Sequence, residues 1–353
     1  MSISKNHIYL LLALAIAANS CINSRNQSGT GERKNTIAQI ELVTGPLPSL
    51  KNLPPFNVQV SDSIQTETYK RYTIRFTVAS GEELSALLYK PLGYKQHEKT
   101  AAMLVLHSTD ATGKMVLSGN SPKPNRAYGV ELAERGYVVI APDYPGFGDL
   151  RNYDFENDPY ASGTMKGIFH HIRCVDFLQS LPYVDGRKIG VLGHSLGGHN
   201  AIFAAAFDER LKVTVSSCGW TLFDFYNAGA EVTRAHGGRL GPWAQDKYMP
   251  RIRTIYNLDP ALIPFDFDDA IALIAPRAFF TNSPLRDVNF NIEGVKKGMN
   301  RIENIYKKMK AENHLRVVYP DTGHDFPKEA RLQAYGFIDS ILGHVPRRHE
   351  LHR

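Results

Sequence analysis

The sequence predicts an α/β domain with a mostly parallel central sheet, helices on both faces, an N-terminal antiparallel hairpin and a cap insertion. Short continuous apolar runs ("AAMLVLHS", "YVVIAPDY", "KIGVLGHS") alternate with amphipathic stretches ("RAYGVELAERG", "GTMKGIFHHIRCVDFLQSL"), and two further rounds end in "RAFFTNSP" and "LRVVYPDTGH". Unbroken apolar strands separated by helices imply a sheet buried on both sides. Before them, "YTIRFTVA" and "LSALLYKP" alternate around "SGEE", the pattern of a hairpin with a glycine-containing turn. Residues 219–265 interrupt the alternation; this segment is too long for a simple connection and rich in aromatics and glycine, so it reads as a cap over the sheet's carboxyl edge.

The N-terminus carries a different signal. Lys5 and His7 precede "IYLLLALAIAA", an apolar stretch too short to span a bilayer, and "NSC" follows. Residues 1–20 therefore read as a lipoprotein-type signal peptide with Cys21 as the lipidated first residue; an ordinary signal peptide with an incidental cysteine is the alternative. Residues 21–45 have the polar, Gly/Ser-containing composition of a flexible tether, 46–346 form one domain, and 347–353 a basic tail. The expected location is the bacterial cell envelope, in the periplasm or at the outer-membrane surface, with the membrane touched only through the lipid anchor.

With 41 basic and 35 acidic residues the formal charge is +6, and Lys5, Arg347, Arg348 and Arg353 hold part of it at the ends. No Lys/Arg stripe is interleaved with aromatics, which speaks against a nucleic-acid partner. Three cysteines provide no disulfide framework; beyond Cys21, Cys174 falls on a predicted helix and Cys218 at a predicted strand end, and both are expected as buried thiols.

Polar residues of interest follow the apolar runs, as they must if active residues gather at the carboxyl ends of strands: His107 and Ser108, Asp143, Ser195, Asp287 and His324. Gly193-His194-Ser195-Leu196-Gly197 matches G-x-S-x-G between a strand, "KIGVL", and a helix, "GGHNAIFAAAF". That motif lifts a serine on a strained turn, and its small flanking residues let the chain fold closely on itself. A serine hydroxyl needs a base, and His324 in "YPDTGHDFP" follows the last strand. The acid, which holds one imidazole tautomer, is expected between them in the chain: Asp287 after "RAFFT", with Asp224 as rival and Asp325 as a merely sequential neighbour of His324. The oxyanion donors would be the backbone N–H of Leu196 and one from the loop after the first core strand, at Ser108 or Thr109. His107, Trp220 and Trp243 are candidate substrate-binding residues, the two indoles as stacking surfaces for a sugar or, equally, as cap core.

These residues sit in stretches ("ELAERGYVVIAPDYPGFGD", "IGVLGHSLGGHNAIFAAAFDERLKV", "DFDDAIALIAPRAFFTNSPLRD", "HDFP") through which the chain resembles the α/β-hydrolase superfamily, over roughly residues 70 to 345. Within it, the chain is similar to bacterial hydrolases described as dienelactone-hydrolase-like or acetylxylan-esterase-like. The resemblance implies the α/β-hydrolase fold and carries the nucleophile, acid and base onto Ser195, Asp287 and His324. Two departures stand out: Ser108 occupies a position where glycine is frequent, and the nucleophile is serine where dienelactone hydrolases use cysteine.

The expected function is a serine carboxylester hydrolase working through an acyl-enzyme, without metal or organic cofactor, on esterified (acetylated) polysaccharides or oligosaccharides. A secreted peptidase of the prolyl-oligopeptidase kind is the enzymatic alternative, although the chain lacks room for such an enzyme's propeller. An inactive surface binding protein is the other. His170 and His171 read as solvated or half-buried helix residues, since neighbouring positions diverge and no carboxylate has ligand spacing to both. His199 reads as packing near the elbow, and "GVKKGMNRIENIYKKMK" as a helix with one solvated face over a Val/Met/Ile/Tyr stripe.

Overall fold

A computed structural model describes residues 31–93 and 98–347. Among the described residues nine strands form one sheet: β1 (Gln59–Gln65), β2 (Tyr69–Ala79), β3 (Glu82–Pro91), β4 (Thr100–Leu106), β5 (Val138–Pro142), β6 (Val184–His194), β7 (Leu211–Ser217), β8 (Ala278–Asn282) and β9 (Leu315–Val318). Their spatial order is β1-β2-β3-β5-β4-β6-β7-β8-β9. The first three strands are antiparallel and β3 meets β5 antiparallel, after which every pairing is parallel. The expected hairpin is β2–β3; β1, exposed along its whole length, is an edge strand that its polar sequence did not signal.

Period two assigns the strand side chains to two layers. From β4, Ala102, Leu104 and Leu106 enter one core while Ala101, Met103 and Val105 enter the other. The first core is roofed by α1 (residues 31–44), α3 (Gly163–Ser180), α4 (Leu196–Phe207), α7 (Phe267–Ala272) and α8 (Ile292–Lys308); the second by α2 (Tyr128–Glu134) and α9 (Lys328–Leu342). On α8 the buried stripe is Val295, Met299, Ile302 and Tyr306, at the three- and four-residue spacing of one helix face. Among the described residues no helix is long and apolar enough to cross a membrane.

Residues 31–44, expected within a tether, form a helix that belongs to the folded body. Ile37, Ile40 and Val43 recur at three-residue spacing and turn one face onto the core, where Ile40 and Val43 are fully buried. Arg33 fixes the other end by donating to the carbonyls of Ala206 (2.6 Å) and Leu273 (2.9 Å). The polar residues between the apolar ones hid this stripe. Residues 1–30, including the signal-peptide segment and Cys21, and the tail residues 348–353 lie outside the described part.

The 219–265 segment carries two short helices, α5 (Ala230–Ala235) and α6 (Arg251–Thr254), joined by turns. Trp220, Phe223, Tyr226, Trp243, Tyr248 and Phe265 from this stretch pack into the first core, so it is continuous with the domain's interior.

On the opposite face, α9 is tied to α2 by a buried ion pair. Arg331 donates to both carboxylate oxygens of Glu131 (2.9 and 3.0 Å), to Asn125 Oδ1 (2.6 Å) and to the carbonyl of Phe326 (2.6 Å), while the Tyr335 hydroxyl donates to the same carboxylate. Removing one partner would strand a buried charge. Glu131→Ala should cost about 3–5 kcal/mol of unfolding free energy, whereas Glu293→Ala, which breaks the exposed Glu293–Lys296 pair, should cost less than about 1 kcal/mol. Urea denaturation of the two variants beside the parent checks the contrast, and equal losses would refute it.

Candidate active site

Ser195 stands between β6 and α4 with φ 56° and ψ −121°. A non-glycine residue reaches this left-handed half of backbone space only under constraint, and the constraint is close packing. A Cβ on Gly193 would lie 2.2 Å from the carbonyl of Gly197, and one on Gly197 would lie 2.1 Å from the carbonyl oxygen of Leu106. Only glycine at both positions lets α4 start directly against the ends of β4 and β6. The turn is closed by Ser195 N–H donating to Ser217 O (2.8 Å) and His199 N–H donating to Ser195 O (3.0 Å).

Three side chains converge here. The Ser195 hydroxyl lies 2.9 Å from His324 Nε2, and His324 Nδ1 lies 2.8 Å from Asp287 Oδ2. An ionised carboxylate only accepts, so Nδ1 carries the ring proton and Nε2 accepts from the serine. The other oxygen, Asp287 Oδ1, accepts from the amides of Asn289 (2.9 Å) and Phe290 (3.1 Å). Asp287 is buried, whereas Ser195 and His324 are half-buried. Asp224, the rival acid, is 70% exposed with Arg239 as its ion-pair partner at 3.8 Å.

Asp325 has another task. It accepts from Arg126 (2.9 Å) and from Asn125 Nδ2 (2.5 Å), and the next residue's carbonyl is held by Arg331. The loop presenting His324 is thus clamped to residues 125–126 and α9.

The first turn of α4 leaves its amides without intrahelical acceptors, the N–H of Leu196 among them. The loop after β4 lies against that turn, since Gly197 approaches both Leu106 O and His107 O. Two tyrosines hold the loop from below: Tyr128 donates to Leu106 O (3.0 Å) and Tyr144 to His107 O (3.1 Å). Ser108 is buried and Thr109 exposed.

The expectations for substrate contact need correction at three positions. His107 is fully buried, stacked on Tyr144 with ring centroids 3.8 Å apart, its Nδ1 bonded to Ser108 O. Burial lowers its pKa to about 4, so it is a neutral packing residue. Trp220 is 1% exposed and donates to Thr281 Oγ1 (3.1 Å); Trp243 is 5% exposed and stacked on His199 at 4.3 Å. Both indoles spend their faces on the core. His170 and His171 are also fully buried rather than solvated: His170 Nε2 bonds Glu82 Oε1 (2.8 Å), and burial pushes His171 down to about 3.

Trp243 is one member of a wall of rings beside the site whose other members the sequence did not single out. Phe290 stacks on His324 (5.7 Å), Tyr226 and Trp243 pack on Phe290 (5.7 and 6.2 Å), and Tyr248 packs on Trp243 (5.4 Å). The Tyr248 hydroxyl pairs with Thr109, and burial pushes that phenol up to about 12. The wall therefore runs from the imidazole to the loop after β4. Its members are scattered along the chain, and their composition alone is that of any core.

Asp143, placed at a strand end by the sequence, has a structural task that the sequence did not indicate. It accepts from the Lys114 ammonium (2.5 Å) and the amides of Lys114 (2.8 Å) and Asp149 (3.0 Å), pinning the turns that follow Thr109 and Phe147.

With this geometry in view, the profile of the alpha/beta hydrolase family matches residues 124–334. The chain belongs to the alpha/beta hydrolase family. YtaP of Bacillus subtilis, named only provisionally as a hydrolase, is 26% identical over 316 residues, covering 86% of this hydrolase and 98% of YtaP. Among solved structures, the glucuronoyl esterase from Solibacter usitatus superposes with a TM-score of 0.64 at 19% identity, over 87% of this chain and 91% of that one. The acetyl xylan esterase from Paenibacillus sp. R4 does so at 0.56 and 20% identity, over 86% and 99%.

The cap segment meets α7 of the hydrolase through Asp266, which caps that helix and accepts from the amide of Phe223 (3.1 Å to each oxygen). Burial raises its pKa from 3.8 to about 7; the amides of Phe267 and Phe223 oppose this, and Asp268 and Asp269 add to it. A carboxyl whose folded pKa lies above its unfolded value favours the folded state fully below the unfolded pKa, and this is lost as pH rises through the folded one. Asn keeps the cap without the charge. Asp266→Asn should therefore raise Tm relative to the parent more at pH 8 than at pH 5; thermal melts at both pH values giving the same difference would refute this.

Proposed function

We propose that the protein is a serine carboxylester hydrolase that removes small acyl groups, acetyl first among them, from polysaccharides or oligosaccharides. The observation that carries this is the continuous hydrogen-bond chain from the Ser195 hydroxyl through His324 to Asp287. Ser195 is the nucleophile. As its oxygen attacks the ester carbonyl, Nε2 of His324 takes the proton and then delivers it to the departing alcohol; Asp287 holds the ring and stabilises the imidazolium. The resulting acyl-serine is hydrolysed by a water that the same nitrogen deprotonates. The N–H of Leu196 and an N–H at Ser108 or Thr109 receive the developing oxyanion, each worth about a hundredfold or more in rate.

Two features support the substrate class. The rings that run from His324 to Thr109 would bound a small acyl group beside Ser195, and a bulky alcohol would extend away from them. The solved structures with this fold named above are a glucuronoyl esterase and an acetyl xylan esterase.

p-Nitrophenyl acetate should be cleaved and prolyl p-nitroanilide left intact; cleavage of the anilide alone would replace this reading with a peptidase. Ser195→Ala should abolish turnover and labelling by a fluorophosphonate, and Asp287→Asn should lower kcat by about 10⁴-fold through the wrong histidine tautomer, with the fold retained by circular dichroism. Near-normal turnover of either variant would refute the assigned roles. Shortening the wall by Tyr248→Ala should narrow the acetate-over-butyrate preference in kcat/KM by about tenfold or more, and an unchanged ratio on p-nitrophenyl esters would remove the wall from the acyl pocket.

A further inference from the structure

The acid and base of the site have a third neighbour that ester hydrolysis does not use. Cys218 directly follows β7, with φ 46°, in the left-handed region that few residues other than glycine and asparagine adopt. Its Sγ is buried, 3.2 Å from the carbonyl oxygen of Asp325. The sulfur, a carboxylate oxygen of Asp287 and a ring nitrogen of His324 all lie within 4.8 Å of one another. Thiol, carboxylate and imidazole together are the donor set of zinc and its softer congener cadmium.

We propose that Cys218, Asp287 and His324 form an inhibitory binding site for a thiophilic divalent cation. Binding stands on these side chains alone; only the loss of turnover rests on the reading of Ser195 as an esterase nucleophile. The nitrogen available to the metal is Nδ1, which faces Asp287, since Nε2 faces Ser195. Zinc bound at about 2.0–2.3 Å wants its donors roughly 3.3–3.8 Å apart, so Nδ1 and the Asp287 oxygen, 2.8 Å apart, separate slightly to admit the ion, and a fourth position is left for water.

Burial and the neighbouring Asp287 carboxylate disfavour a free thiolate at Cys218, so the sulfur loses its proton only as the cation binds. The S–H proton leaves to solvent, and the +2 ion is balanced by one thiolate and one carboxylate, with the imidazole neutral. The hydrogen bond from Nδ1 to Asp287 is replaced by a bond from Nδ1 to the metal, which moves the single ring proton to Nε2. The nitrogen facing Ser195 then donates where it formerly accepted, and the hydroxyl has no base. The metal-bound protein is folded and inactive, and a chelator restores it.

Titration of the full-length, metal-free protein with cadmium tests the site through the thiolate-to-metal charge-transfer absorbance. One equivalent should develop the band in the parent and in Cys174→Ala, zinc should compete it away, and neither Cys218→Ala nor the near-isosteric Cys218→Ser should develop it. Hydrolysis of p-nitrophenyl acetate, scored against each variant's own metal-free rate, should be lost with the band and restored by EDTA, with inhibition at least tenfold weaker in both Cys218 variants. A band that survives in the Cys218 variants, a parent that gives none, or equal inhibition of parent and variants overturns the proposal. A protein that shows the band but cleaves no ester would overturn the esterase reading while leaving the metal site standing.

Discussion

The site depends on one constraint: the approach of α4 to the ends of β4 and β6, which is closer than any side chain at Gly193 or Gly197 would allow. That approach holds Ser195 in a backbone conformation costing about 1–3 kcal/mol, and the surrounding sheet maintains it. β6 is paired on both sides, with Leu106 opposite Gly193 and Ser217 opposite His194. The serine cannot relax without breaking strand pairing in the centre of the sheet. The same packing brings the amides of the first turn of α4 beside the loop after β4, so the nucleophile and its anion-stabilising groups come from a single steric event.

The base is held by different means. His324 lies on a loop, and a loop by itself would not hold Nε2 2.9 Å from Ser195 Oγ. Its position is inherited from charge pairs on the far layer: Asp325 with Arg126 and Asn125, and Phe326 O with Arg331, itself buried against Glu131. Buried pairs of this kind add little net stability but penalise any arrangement that leaves one partner alone. They specify geometry, and here the geometry specified is that of the histidine loop.

How much of this was legible in the sequence follows from where each signal lies. The parallel sheet, the hairpin and the Ser195 turn are local patterns, readable from period and glycine spacing, and the order of strand ends picked out His324 and Asp287 among many histidines and acids. The helix over 31–44 was missed because the three apolar residues of its core face are diluted by polar neighbours in a segment without strand partners. The sequence puts His107 at the substrate and leaves Trp220 and Trp243 open between sugar stacking and cap core, because histidine and tryptophan can serve either, and only burial distinguishes the two. The ring wall, the Asp143 hub and Cys218 are tertiary constellations; no spacing in the chain encodes that Phe290 meets His324 or that residue 218 meets 287.

Burial also settles the electrostatics around the base. His107, His194 and His199 are all driven toward the neutral form by desolvation, so the rings packed near Ser195 and His324 contribute dipoles and bulk without charge. Asp325 is already matched by Arg126. Among the described residues, Asp287 is the one carboxylate whose oxygen bonds the His324 ring, and its second oxygen is committed to two backbone amides that fix its direction. An imidazolium formed at His324 would thus be stabilised by a single oriented anion in a surround of neutral groups, an arrangement in which the attraction is weakly screened and geometrically narrow. The same narrowness makes the trio sensitive to a competing cation, because the feature that would stabilise a transient positive ring, an uncompensated carboxylate in a buried place, equally attracts a divalent ion once a thiol stands beside it.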